Sequence, residues 1–182
     1  MAQLWINCTK TDENRDIIMV SELNPDFKYE VSEYPGGENI RLCFACGTCS
    51  AGCPVREIDE RYNPRKIIRM VLLGMRDRVL SSEFIWFCST CYTCRERCPQ
   101  GVRLIDVMTA LKNIAVKEGY IHPLYKEQIK LLDKSGAIYE VDNRRRERSG
   151  LPFIQVRSED TSQILKLTGL SNIVASEEGH EG

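Results

Sequence analysis

Short apolar runs divided by charged residues and by Gly, Pro and Asn make up most of this chain, and helical spacing dominates them. Asn63-Pro64 leads into Ile67, Ile68, Met70, Val71, Leu72, Leu73 and Met75. Asn suits an N-cap and Pro the first helical position, so a helix starts here. Its apolar residues fall nearly all round, which predicts a helix buried between two lobes. Leu104, Val107, Met108, Leu111, Ile114 and Ala115 recur at helical spacing and predict a second helix, stopped at Gly119. His122-Pro123 breaks the chain, and Leu124–Lys134 reads as another helix. Ser162–Thr168, ahead of Gly169, reads as a short last one. The run Arg144-Arg145-Arg146-Glu147-Arg148, followed by Ser149-Gly150-Leu151-Pro152, reads as an exposed loop, either a solvated turn or a docking patch. Residues 1–40 have no clear period; Leu4–Cys8 and Ile17–Val20 fit short strands or extended cover. The tail, Glu177–Gly182, is expected to be disordered. The expected class is mostly α.

The chemistry lies in the cysteines. Nine occur among 182 residues. Cys43-Phe-Ala-Cys46-Gly-Thr-Cys49-Ser-Ala-Gly-Cys53-Pro54 is repeated by Cys88-Ser-Thr-Cys91-Tyr-Thr-Cys94-Arg-Glu-Arg-Cys98-Pro99, every cysteine shifted by 45 positions. Such a repeat predicts a pseudo-twofold unit. The odd count, the tight spacing and the lack of an export signal exclude a disulfide framework and predict a reducing, cytoplasmic setting. C-x₂-C-x₂-C-x₃-C-P is the run that holds [4Fe–4S] clusters in ferredoxin-type proteins, with the fourth cysteine serving the other cluster. One cluster therefore takes Cys43, Cys46, Cys49 and Cys98; the second takes Cys88, Cys91, Cys94 and Cys53. Proline fixes φ and ends each loop. Gly47, Ala51 and Gly52 let the backbone approach a bulky cluster, while Tyr92 and Arg95 make the second site more crowded. Two Cys₄ zinc sites are the alternative, but those use paired CxxC knuckles, without a third close cysteine or a Cys-Pro ending. Cys8 has no partner at ligand spacing and reads as a free thiol.

Charge agrees with two anionic clusters. Residues 1–40 carry three basic and eight acidic side chains, whereas residues 41–105 carry eleven basic and six acidic. A doubly positive core held by four thiolates is anionic overall, so this basic excess compensates it and is not read as a nucleic-acid patch. No apolar run approaches the length of a membrane span. Nor is there a dinucleotide fingerprint, P-loop, zinc-protease helix or nucleophile elbow, and neither His122 nor His180 stands among potential ligands. Electron carriers without a catalytic constellation predict a component that passes electrons between partners.

Taken together, the two C-x₂-C-x₂-C-x₃-C-P motifs, the lead before them and the helices after them resemble the C-type iron–sulfur subunit of the heterodisulfide reductase of methanogens. The resemblance implies an α-helical ferredoxin-like dicluster domain over 41–120, an N-terminal extension over 1–40 and a docking extension over 121–182 with a flexible tail. It implies a relay of electrons from the flavin- and iron–sulfur-containing A-type subunit to the B-type subunit, which reduces the heterodisulfide of coenzymes M and B. A larger complex with a hydrogenase or a formate dehydrogenase is implied as well. B-type chains carry adjacent Cys-Cys pairs; this sequence has none, so the disulfide-reducing centre is not expected here. Related motifs serve iron–sulfur subunits of other oxidoreductases, and a freely diffusing dicluster ferredoxin is a further reading. The roughly 80 residues that follow the second motif exceed what a simple ferredoxin needs and favour a docking role.

Overall fold

Capping residues and left-handed glycines cut the chain into many short helices. The computed structural model describes residues 18–139 and 141–175. Among them there are helices and turns and no strand. Two compact units divide the chain, residues 1–114 and 115–182.

In the first unit a 3₁₀ turn, Val20–Glu22, precedes α1, Phe27–Glu33. Phe27 and Val31 stand four apart on one face of α1 and are fully buried. Arg76 grips Glu30 of this helix through two hydrogen bonds of 2.8 and 2.9 Å. The other helices are α2 (Thr48–Ala51), α3 (Pro54–Ile58), α4 (Pro64–Leu72), α5 (Arg76–Leu80), α6 (Thr93–Glu96) and α7 (Leu104–Lys117). Asn63 caps α4 by accepting from the Lys66 N–H at 3.1 Å, and Pro64 occupies its first turn. Contrary to the all-round apolar expectation, α4 buries one face only. Ile67, Ile68 and Val71 are buried, while Arg65, Lys66 and Arg69 are exposed. The helix also stops earlier than the apolar run, because Gly74 takes φ +80° and lies hard against the Asn24 backbone. α7 supplies Val107, Met108, Ala110, Leu111 and Ile114 to the core.

In the second unit α7 ends in a Schellman turn. The Gly119 N–H donates to Val116 and the Tyr120 N–H to Ala115, with Gly119 at φ +84° as its spacing predicts. α8 runs Pro123–Ser135, with His122 as N-cap through Nδ1 and Gly136 as left-handed C-cap. Two expectations fail here. The basic run is a helix, α9, Asn143–Arg148, because Asp142 caps it at the Arg145 N–H and arginines are good helix formers. Its stop is the turn expected around Gly150, closed by the Leu151 N–H on the Arg146 carbonyl at 2.9 Å. The short last helix is α10, Ser158–Leu167, longer than expected and followed beyond Gly169 by α11, Leu170–Ala175. Ser162 of α10 hydrogen-bonds Asp133 of α8.

Leu4–Cys8 and the tail from Glu177 lie outside the described residues. Of Ile17–Val20, the described part is no strand: Val20 opens the 3₁₀ turn.

Candidate iron–sulfur centres

The sequence repeat is also a backbone repeat. A 3₁₀ turn delivers Cys43 (Ile40–Leu42), and another delivers Cys88 (Glu83–Phe87). Two residues on, Ala45 and Thr90 take positive φ (60° and 54°); two further on, Gly47 and Tyr92 do so again (87° and 63°). The helices α2 and α6 follow, again 45 positions apart. Both begin with a threonine whose hydroxyl meets the middle cysteine, Cys46···Thr48 at 3.3 Å and Cys91···Thr93 at 3.5 Å. Alternating left-handed residues curl each loop so that its first three cysteines border one cavity. Non-glycine residues accept this conformation only where something over-determines it.

Each loop borders a cavity that the other loop completes. The first is lined by Cys43, Cys46 and Cys49 together with Cys94, Cys98 and Arg65. The second is lined by Cys88, Cys91, Cys94 and Cys53, with Tyr62 and Ile105. The fourth cysteine of each motif thus lies with the first three of the other. Among the described residues no three His, Cys, Asp or Glu side chains are disposed to hold a single metal ion. Cys94 lines both cavities, so five cysteines border the first and four the second; soft thiols around an open volume are the donor set a cubane accepts.

The surroundings differ. Ser50, between the first loop and α4, is buried; its hydroxyl donates to the Asn63 Oδ1 at 2.8 Å and accepts from the Arg65 N–H at 2.9 Å. This fixes the loop to the start of α4 and sets Arg65 beside the first cavity. The Val102 N–H points at Cys98 Sγ, 3.4 Å away. Arg97 lies over Gly52, where a Cβ would collide with the guanidinium. Arg103 and Arg95 reach Asp106 at 2.7 and 3.8 Å, joining the second loop to α7. Tyr62 is 2% exposed and lines the second cavity together with Cys88. Burial, then the neighbouring Cys88 thiol, holds its hydroxyl far above the usual tyrosine range. Burial also pushes the Cys94 thiol up to about 11 and raises Cys49, whereas the Thr48 and Thr93 hydroxyls hold Cys46 and Cys91 below the ordinary thiol value.

All eight motif cysteines lie at the two cavities, and none of them is in a disulfide. Cys8 lies outside the described residues. Sequence reasoning did not single out Ser50 or Tyr62. Ser50 resembles any small loop residue, and Tyr62 stands in the polar stretch Asp59-Glu60-Arg61, whose only hint is one aromatic ahead of the Asn63 cap.

Residues 39–102 match the family model described as the 4Fe-4S dicluster domain. The chain is therefore a carrier of two [4Fe–4S] clusters, an iron–sulfur electron-transfer protein. It belongs to the family of C-type iron–sulfur subunits of heterodisulfide reductase. It is 38% identical over 143 residues to the C-type iron-sulfur subunit of the CoB–CoM heterodisulfide reductase of Methanopyrus kandleri, covering 74% of each chain. It is 30% identical over 176 residues to the C-type subunit of the H₂:CoB-CoM heterodisulfide,ferredoxin reductase of Methanothermobacter marburgensis, covering 91% of this chain and 94% of that one. Over 110 residues, 57% of this chain and 58% of the other, it is 43% identical to a C-type iron-sulfur subunit of the CoB–CoM heterodisulfide reductase of Methanocaldococcus jannaschii. No helix among the described residues is long and apolar enough to cross a membrane.

Proposed function

We propose that this chain is the electron relay of a heterodisulfide reductase, holding one cluster on Cys43, Cys46, Cys49 and Cys98 and the other on Cys88, Cys91, Cys94 and Cys53. Each cluster, when bound, supplies reversible one-electron exchange. The observation that carries the assignment is the crossing of the fourth cysteines: Cys98 lines the cavity of the first loop and Cys53 that of the second. The protein's residues act as holders and insulators. Thr48 and Thr93 orient the middle thiols, Arg65 supplies positive charge beside the first cavity, and Tyr62, Val55 and Ile105 keep water from the second.

In this reading, electrons arrive from the A-type subunit, which holds flavin and iron–sulfur centres. They leave to the B-type subunit, which reduces the coenzyme M–coenzyme B heterodisulfide. A hydrogenase or formate dehydrogenase feeds the complex. The chain itself has no substrate site, and neither nucleic acid nor a membrane is a partner. The complex works in the cytoplasm, where free thiols persist until they are loaded.

Two measurements test this. Anaerobically loaded protein should hold about eight iron and eight sulfide per chain; stoichiometric zinc without sulfide would sink the assignment. Heterodisulfide reduction by a reconstituted complex should vanish when this chain is left out, and full activity without it would refute the relay. Disulfide reduction by the purified chain alone would reveal an active site on it.

A further inference from the structure

We infer that the Tyr62 hydroxyl, as a hydrogen-bond donor to the Cys88 sulfur, raises the reduction potential of the second cluster alone. The inference rests on the ligand assignment proposed above. Tyr62 reaches the cavity from the turn ahead of α4, where its own N–H is fixed to the Asp59 carbonyl at 3.1 Å. The ring is 2% exposed and shares the cavity wall with Cys53, Cys88, Cys91 and Cys94. A buried phenol seeks a partner for its proton, and the sulfurs on this wall, Cys88 among them, are acceptors that become electron-rich when they ligate a cluster. A donor to a ligating sulfur stabilises the more electron-rich, reduced state more than the oxidised one, so the potential rises.

The pseudo-twofold repeat explains why only one cluster is affected. Tyr62 lies nine residues after Cys53; nine residues after Cys98 stands Val107, fully buried and without a donor. The first cavity is served instead by the Val102 N–H on Cys98 and by the Arg65 side chain. The two surroundings therefore act through different groups, and Tyr62→Phe removes one hydroxyl from one of them while keeping the ring that fills the space.

The test is a redox titration of the anaerobically loaded full chain, wild type and Tyr62→Phe, followed by EPR. The reduced-to-oxidised ratio of one cluster, at a fixed ambient potential, should fall about threefold, a shift of about 30 mV at 59 mV per tenfold for one electron. The other cluster should keep its potential. The signal that shifts should be the one that Cys88→Ser alters. Electron–nuclear double resonance should lose an exchangeable proton from that signal in Tyr62→Phe. Unchanged potentials, equal shifts of both clusters, or a shift on the signal untouched by Cys88→Ser would each overturn the inference. So would failure of Tyr62→Phe to hold its second cluster, which would make the hydroxyl a packing group. If Cys53→Ser instead alters the same signal as Cys43→Ser, the crossed assignment fails, and Tyr62 is still judged on the Cys88 signal.

Discussion

Phe27→Ala is the sharpest test of where the cluster-bearing unit begins. Phe27 opens α1, is 0% exposed, and lies beneath the Arg76 guanidinium, 6.0 Å from the ring centroid. Arg76 in turn holds Glu30 of the same helix. Truncating a fully buried Phe costs about 3–5 kcal/mol from lost transfer energy and the cavity left behind. A guanidinium slope of about 4 kcal/mol per molar turns a loss of about 4 kcal/mol into a fall of about 1 M in the denaturation midpoint. The assay is anaerobic guanidinium denaturation of the loaded chain, followed by visible cluster absorbance. Ile58→Ala is the control: Ile58 is 89% exposed, and its loss should change stability by no more than about 0.5 kcal/mol. A Phe27→Ala midpoint indistinguishable from the Ile58→Ala midpoint would refute the reasoning. It would mean that α1 is an appendage whose loss the cluster unit does not feel.

Ser50→Ala removes two hydrogen bonds and leaves the Arg65 N–H without its acceptor, so it should cost about 2 kcal/mol and speed iron loss to a chelator; an unchanged loss rate would show that the first loop does not depend on α4. Gly74→Ala places a Cβ against the Asn24 backbone at a positive φ and should cost at least about 2 kcal/mol. Gly101→Ala, at φ +62° with open space around it, should cost only about 1 kcal/mol, and equal thermal shifts for the two would remove the close-approach argument. Cys53→Ala should damage the cluster of the second motif and Cys98→Ala that of the first; EPR of each variant at controlled potential reads which signal is lost, and the reverse pattern would mean that each motif serves its own cube.

What could be read from the sequence was whatever a single local rule determines. The cysteine spacing is such a rule for the paired loops, and a glycine after a helical stripe is another for the Gly119 stop; the four-residue helices α2 and α6 inside the loops were not foreseen. The α4 start was legible from Asn63-Pro64, but its orientation was not. The apolar residues of the run hid Arg65, Lys66 and Arg69, which face out and leave one buried stripe. α9 was missed because Gly150 and Pro152 read as loop residues, although they end the helix and Asp142 starts it. α1 was missed because its seven residues offer only the Phe27–Val31 pair, and a helix that short depends on packing, not on its own pattern. Positive φ at Gly47 was foreseeable; at Ala45, Thr90 and Tyr92 it was not, since no propensity favours it there.

Those three residues show what the repeat is for. A left-handed alanine, threonine or tyrosine costs about 1–2 kcal/mol each, and a repeat that kept all four left-handed positions while exchanging Gly47 for Tyr92 is held by something common to both loops. Curling three thiols towards one cavity is that common demand, because the same φ pattern recurs wherever the cysteines do. Outside the loops the demand disappears and so does the symmetry. Pro54 starts α3, while Pro99 enters a turn; Gly52 is matched by Arg97, and Tyr62 by Val107. Equivalent loops thus sit in unlike surroundings, one beside Arg65 and a backbone donor, the other beside a buried phenol. A relay with two identical sites gives an electron no preferred resting place, whereas unlike surroundings separate the two potentials. In the proposed role the loops therefore account for what is bound, and the asymmetric flanks for which of the two clusters holds the electron.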